Sequence, residues 1–286
     1  MLANALTEFR DLLHAQLCYQ LFITPLHLPI EKEYREFARK ACEIFTEKRT
    51  EVIHCPIPRH HVIHRFAPAI KSHGRKILIT HGWMSRAAYM IRLINTLQQQ
   101  GFDVYALDFP AHGEAKGMQL PWTDAVSLLK HVLNHLGPFY SVIGHSFGGS
   151  MLLNTLNLSS QFPEWHVERE PERVVLIASP TRMRTPVGKL ARRFKLSSRG
   201  FLLLRELFRQ HAMTDLKNLD FHHYIMRAKT PVLCIHGTED ESIEPNESTT
   251  FCEKYPYGYL ALLPGADHVS VLVDERVEKT VSQFLF

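Results

Sequence analysis

The chain predicts an α/β fold, a mostly parallel central sheet with helices on both faces. Three observations carry that expectation. From about residue 76 onward, short apolar runs rich in β-branched residues alternate with segments of helical period. One of these runs ends at Gly144 and turns abruptly through His145-Ser146-Phe147-Gly148-Gly149 into a segment of helical character carrying Met151, Leu152, Leu153 and Leu156. Each of the last two apolar runs is followed by a loop bearing acids or histidine. At 286 residues, with 45% hydrophobic and 22% charged side chains, the chain can form one large α/β domain or two average ones, with a full core.

In chain order, Leu2, Leu6, Phe9, Leu13 and Leu17 recur every three or four residues, which predicts a first helix with one apolar face. A second helix is expected from Glu31 to Phe45, after the turn chemistry around Pro25 and Pro29. Both are expected to pack on the body of the domain. The runs Glu51–Cys55 and His61–Phe66, split by Pro56 and Pro58, suit a hairpin at a sheet edge. Strands are then predicted at Lys76–Thr80, Val104–Leu107, Tyr140–Ile143, Arg173–Ala178, Pro231–His236 and Tyr259–Leu263. Helices are predicted at Arg86–Gln99, Pro121–Leu136, after Ser146, and from Val269 to Phe284. The interval between Ala178 and Pro231 has helical periodicity (Leu190, Phe194; Phe201, Leu204, Phe208) and no strand signal, so it reads as a cap above the strand ends. The expected organisation is a helical extension over 1–50, a core over 51–180 and 228–286, and a helical cap over 181–227.

Composition narrows the function. A net charge of +4 is too small for a dedicated nucleic-acid binder. The charge is unevenly spread: from Arg182 to Arg209 nine cations face a single acid, Glu206, leaving the rest of the chain net acidic. That basic cap is either a solvated helical face or a surface that attracts anionic substrates or an anionic membrane. Five scattered cysteines without CxxC spacing read as free thiols of a reducing cytoplasm. The N-terminus lacks the basic flank of a secretory signal, and no apolar stretch approaches the roughly 20 residues that cross a bilayer. His60, His61 and His64 alternate across an edge strand with no accompanying cysteine or carboxylate, so no metal is expected, and no cofactor is called for.

The chemistry centres on Ser146. A serine between a strand and a helix must take a sparsely allowed conformation, and a β-carbon at Gly144 or Gly148 would collide with the chain beside it. A serine hydroxyl needs a base within hydrogen-bond reach. Gly237-Thr238-Glu239-Asp240-Glu241 follows one strand and Pro264-Gly265-Ala266-Asp267-His268 the next, so acids and a histidine emerge at the end of the sheet where Ser146 does. Glu239, Asp240 and Glu241 are all candidates for the carboxylate; Asp267 adjoins His268 too closely in the chain to reach its ring easily.

In the order serine, acid, histidine, and over nearly its whole length after about residue 60, the sequence resembles the serine α/β-hydrolases. The matching motifs are His81-Gly82-Trp83, Asp108-Phe109-Pro110-Ala111-His112-Gly113, Gly144–Gly148, Gly237–Asp240 and Asp267-His268. The resemblance implies an α/β-hydrolase fold with a catalytic triad of Ser146, Asp240 and His268, with Asp108 tying down its own turn. It also implies an oxyanion hole from the backbone N–H groups of Trp83 and Phe147. Trp83, Met84, His145 and Phe147 are the candidate pocket residues; His145 and His236 also read as near-core residues, and His81 as an anchor of its loop. The expected activity is cleavage of a carboxylic ester through an acyl-enzyme, with a small-molecule ester or thioester as partner. Thioesterase or lysophospholipase action on anionic acyl substrates, carbon–carbon bond hydrolysis, acyl transfer, and a binding protein that has lost turnover are the alternatives. Oligomeric state is not legible.

Overall fold

The computed structural model describes residues 2–26, 29–30, 32–212 and 229–286. Its centre is an eight-stranded sheet: β1 (Glu51–Cys55), β2 (His61–Phe66), β3 (Lys76–Thr80), β4 (Asp103–Asp108), β5 (Ser141–His145), β6 (Arg173–Ile177), β7 (Val232–Gly237) and β8 (Gly258–Leu263). Across the sheet the order is β1-β2-β4-β3-β5-β6-β7-β8. The β1–β2 and β2–β4 pairs are antiparallel and all others parallel, with β5 paired to β3 and β6. The expected hairpin therefore stands at one edge, and the strand that leads to Ser146 lies in the interior.

The strands are nearly continuous apolar runs because both faces are covered. In β3 the side chains of Ile77 and Ile79 join one core with Leu97 and Phe102, while Leu78 joins the other with Leu129 and Val142. The first core lies under α2 (Arg35–Lys48), α3 (Ile91–Gln99) and α9 (Glu275–Leu285); the second under α4 (Trp122–Leu136) and α5 (Phe147–Gln161). α8 (Asn246–Lys254) fills the crossover between β7 and β8; its polar sequence hid it from periodicity. The helix expected from Val269 begins only at Glu275, where the Asp274 carboxylate accepts the Arg276 N–H and caps the first turn. The helix expected from Arg86 opens as a 3-10 turn over Ala87–Met90 before α3.

The interval between β6 and β7 holds α6 (Arg184–Arg193) and α7 (Ser198–Ala212); the remainder of the expected cap, 213–227, lies outside the described residues. These helices pack with α1 (Leu2–Ile23) rather than standing alone. Tyr19 and Phe22 of α1 meet Phe208 of α7 at ring-centroid distances of 5.3 and 4.8 Å. α1 corrects the sequence reading. Its predicted stripe faces outward, with Leu6 63%, Phe9 60%, Leu13 51% and Leu17 53% exposed. The buried side is the opposite one, Ala15, Cys18, Tyr19 and Ile23. Both sides of the helix carry apolar residues, so the pattern could not choose between them; the aromatic pocket of α7 does. α2 packs as expected through Ala38, Ala41 and Phe45. No helix among the described residues is long and apolar enough to cross a membrane.

Truncation distinguishes the α1–α7 contact from the outward side of α1. Phe208→Ala empties a site with no solvent exposure and is expected to cost about 3–5 kcal/mol. Leu13→Ala, on the outward side, is expected to change stability by less than about 0.5 kcal/mol. Thermal or denaturant unfolding of the two variants checks this; equal losses would mean that the outward stripe is packed.

Candidate active site

Ser146 follows β5 directly, with φ +49° and ψ −115°, outside the regions an L-residue normally occupies. The turn closes as tightly as the sequence implied. A β-carbon on Gly144 would lie 2.4 Å from the Gly149 backbone, and one on Gly148 2.5 Å from Thr80 Oγ1. The Ser146 N–H donates to Ile177 O of β6 at 2.9 Å, and Ser146 O accepts from Ser150 N–H at 3.0 Å as α5 begins. The hydroxyl is thereby carried beyond the carboxyl end of the sheet.

Three loops converge there. Ser146 Oγ lies 2.9 Å from His268 Nε2, and His268 Nδ1 lies 2.7 Å from Asp240 Oδ2. The carboxylate fixes the tautomer: Nδ1 donates to Asp240, leaving the Nε2 lone pair to accept from the Ser146 hydroxyl. Asp240 is 4% exposed, and its other oxygen accepts the Ile243 N–H at 2.8 Å. Burial works against its charge, but hydrogen bonds from His236 and His268 outweigh it and hold the carboxyl well below the usual range. Glu239 and Glu241 are exposed, and Asp267 is spent on its own turn, accepting the Val269 and Ser270 N–H groups.

The sequence reading missed the part played by His236. Its ring is fully engaged: Nδ1 accepts from Ser248 Oγ at 2.7 Å, while Nε2–H faces Ile243 O at 3.0 Å and Asp240 Oδ2 at 3.2 Å. Asp240 therefore stands between two imidazoles. The only advance signal was a histidine ending the strand before the Gly237–Asp240 loop.

On the other side of Ser146 lies the loop Gly82-Trp83-Met84. His81 holds its base, with Nδ1–H donating to Gly82 O at 2.7 Å and Nε2 accepting from Phe109 N–H at 3.2 Å. Asp108 ties its own turn through the Glu114 N–H at 2.8 Å and reaches across to the Ala87 N–H, also at 2.8 Å. Phe147 is the first residue of α5, so its N–H has no partner within the helix. The Trp83 N–H makes no hydrogen bond among the described residues, and the two side chains touch, with ring centroids 5.1 Å apart.

Two of the four pocket candidates fall elsewhere. Met84 is 44% exposed and does not line the cavity; its N–H donates to His112 Nε2 at 3.1 Å, which turns its side chain to solvent. His145 is buried behind the turn, because alternation along β5 sends it into the core. Its Nε2–H donates to His268 O at 3.1 Å. Trp83 and Phe147 do line a cavity of about 500 Å³ that reaches Ser146. The sequence did not reveal its other walls: Trp122 and Met151 from the core, Phe22 from α1, and Leu190 from α6. Their convergence is long-range and leaves no local pattern.

His145 makes a testable contribution to stability. Its Nδ1 is buried without a hydrogen-bond partner among the described residues, and burial pushes its pKa from 6.5 down to about 3. The folded protein therefore holds the ring neutral while the unfolded chain protonates it. This contribution is intact above pH 6.5 and is lost as pH falls from there toward 3, by up to about 1.4 kcal/mol per unit. Denaturant titrations at pH 7 and pH 5 are expected to show a steeper acid loss in the parent protein than in His145→Gln; identical pH slopes would refute the assignment.

Residues 77–283 match the model of the alpha/beta hydrolase family. The chain is 23% identical over 238 residues to the pimeloyl-[acyl-carrier protein] methyl ester esterase of Nitrosomonas europaea, covering 70% of this chain and 90% of that protein. Among solved structures, a thermophilic esterase from Thermogutta terrifontis aligns with a TM-score of 0.61 at 16% identity, over 82% of this chain and 92% of its own. The esterase of Exiguobacterium antarcticum gives 0.59 at 14%, over 82% and 98%. At such identities the solved structures speak to the fold; the match over residues 77–283 speaks to descent, and the chain belongs to the alpha/beta hydrolase family.

Proposed function

We propose that this chain is a serine carboxylic ester hydrolase working through an acyl-enzyme. One observation carries the reading: the unbroken run of hydrogen bonds Ser146–His268–Asp240, at 2.9 and 2.7 Å, bordering an apolar cavity. Esterases among the similar proteins support the same bond class.

In this reading His268 Nε2 takes the hydroxyl proton as Ser146 Oγ attacks the ester carbonyl, and Asp240 stabilises the imidazolium that forms. Negative charge then collects on the former carbonyl oxygen. The N–H groups of Phe147 and Trp83 are the donors for it, one at the positive end of α5 and the other in a loop held from below by His81 and Asp108. Collapse expels the alcohol, which receives the proton from His268, and leaves the acyl group on Ser146. Water repeats the sequence to release the acid. Trp83, Phe147, Met151 and Leu190 offer apolar surface to the acyl chain, which favours esters of medium length over acetyl esters.

A fluorophosphonate probe is expected to label Ser146 and to leave Ser146→Ala unmodified, with mass spectrometry locating the adduct. With p-nitrophenyl hexanoate, Ser146→Ala is expected to abolish the burst, and Asp240→Asn to lower kcat by about 10³–10⁴-fold. Absence of labelling in the parent protein would instead support a binding protein built on the same fold.

A further inference from the structure

The cavity has a distribution of charge that ester cleavage by itself does not require. Met183, Pro186, Lys189, Leu190 and Arg193 recur at spacings of three or four, so a single face of α6 forms this wall. The near end is anchored beside the helix that follows the nucleophile, where Ser150 Oγ donates to Met183 Sδ at 3.7 Å. Arg193 lies ten residues further on, about 15 Å along the helix axis. Lys189 and Arg193 are the only charged side chains lining the cavity among the described residues, and no acid accompanies them.

The two cations are not equivalent. Lys189 Nζ donates to Glu241 O at 2.8 Å and Ser242 O at 2.7 Å, so its charge is engaged in fastening α6 to the Asp240 loop. Arg193 has no ion pair or hydrogen bond among the described residues. Its neighbours Arg192 and Lys195 are exposed cations as well. Favourable interaction with the helix dipole accounts for cations at the end of α6. It does not account for turning one of them onto the wall of an apolar cavity. A guanidinium stays charged at any working pH, and its planar fork pairs with carboxylate or phosphate through two parallel hydrogen bonds.

We propose that the Arg193 end of the cavity is an anion subsite, so that the preferred substrates are esters with an apolar chain ending in a carboxylate or phosphate. The reaction assigned to these substrates rests on the ester-hydrolase reading above; the subsite does not. An anionic group reaching an apolar cavity without such a partner would lose affinity through desolvation, so a plain apolar pocket prefers the neutral ester. The sign of the preference therefore separates the two cases.

The test compares monomethyl suberate, which carries a free carboxylate at the far end, with dimethyl suberate, and adds an ω-phosphorylated methyl ester of the same chain length. Methanol release by the parent protein is expected to favour the anionic esters by about tenfold or more in kcat/KM. Arg193→Gln should collapse that ratio and Arg193→Glu should reverse it, while Arg192→Gln, outside the cavity wall, should keep it. The carboxylate and phosphate arms identify which anion is preferred. Calorimetric binding of the same compounds to Ser146→Ala separates the two readings: if no ester is turned over, a preference in Kd that depends on Arg193 still upholds the subsite. Equal values for charged and neutral esters, or a preference that survives Arg193→Gln, would overturn it.

Discussion

The structure turns on the backbone of Ser146, held in a conformation that costs on the order of 1–3 kcal/mol and that only its surroundings can enforce. Those surroundings are rigid. β5 is buried along its whole length between β3 and β6, and the Ser146 N–H continues the ladder to Ile177 O before the chain turns away. α5 begins at the next residue, with its middle turns inside the core. Strand, ladder and helix leave the turn no room to relax, and the strain is expressed in a hydroxyl carried to the rim of the sheet.

The same strand also governs His268. His145 Nε2–H holds the carbonyl of His268, so the residue preceding Ser146 fastens the loop that bears the imidazole. Burial keeps His145 neutral, and a neutral ring with its proton on Nε2 keeps donating as the medium is acidified. Asp240 completes the arrangement from the neighbouring strand end. Its position between His236 and His268, with the Ile243 N–H on its other oxygen, lets a nearly inaccessible carboxylate stay ionised. Rigid backbone sets the serine, and hydrogen bonds to buried groups set the histidine and the acid.

Above this rim the helices between β6 and β7 are tied to the same loop. Lys189 reaches the carbonyls of Glu241 and Ser242, and buried Glu247 of α8 accepts from the Thr181 N–H and from the Thr185 hydroxyl. α6 is thus held at both its start and its middle. α1 closes the far side, bringing Phe22 to the cavity and laying Tyr19 and Phe22 against Phe208. An N-terminal helix outside the matched family region therefore shapes the cavity beside Ser146.

While the choice of Asp240 among three neighbouring acids came from the family resemblance, the amino-acid order alone determined the α/β class, the alternation of strands and helices, and the emergence of Ser146, an acidic loop and His268 at one rim. Each rests on local signals: period along a segment, small residues at a turn, and polar residues immediately after a strand, whose shared exit from a parallel sheet brings them to one rim. Tertiary structure decided what no local signal encodes. α1 is apolar on both sides, so the buried side depended on where α7 presents Phe208. Met84 and His145 stood next to the right residues in sequence, yet a hydrogen bond to His112 and the alternation of β5 turned them away from the cavity. The walls at Phe22, Trp122 and Leu190 come from segments far apart in the chain. Their juxtaposition follows from how helices pack over the finished sheet, an outcome of total shape and buried surface that no short stretch of sequence contains.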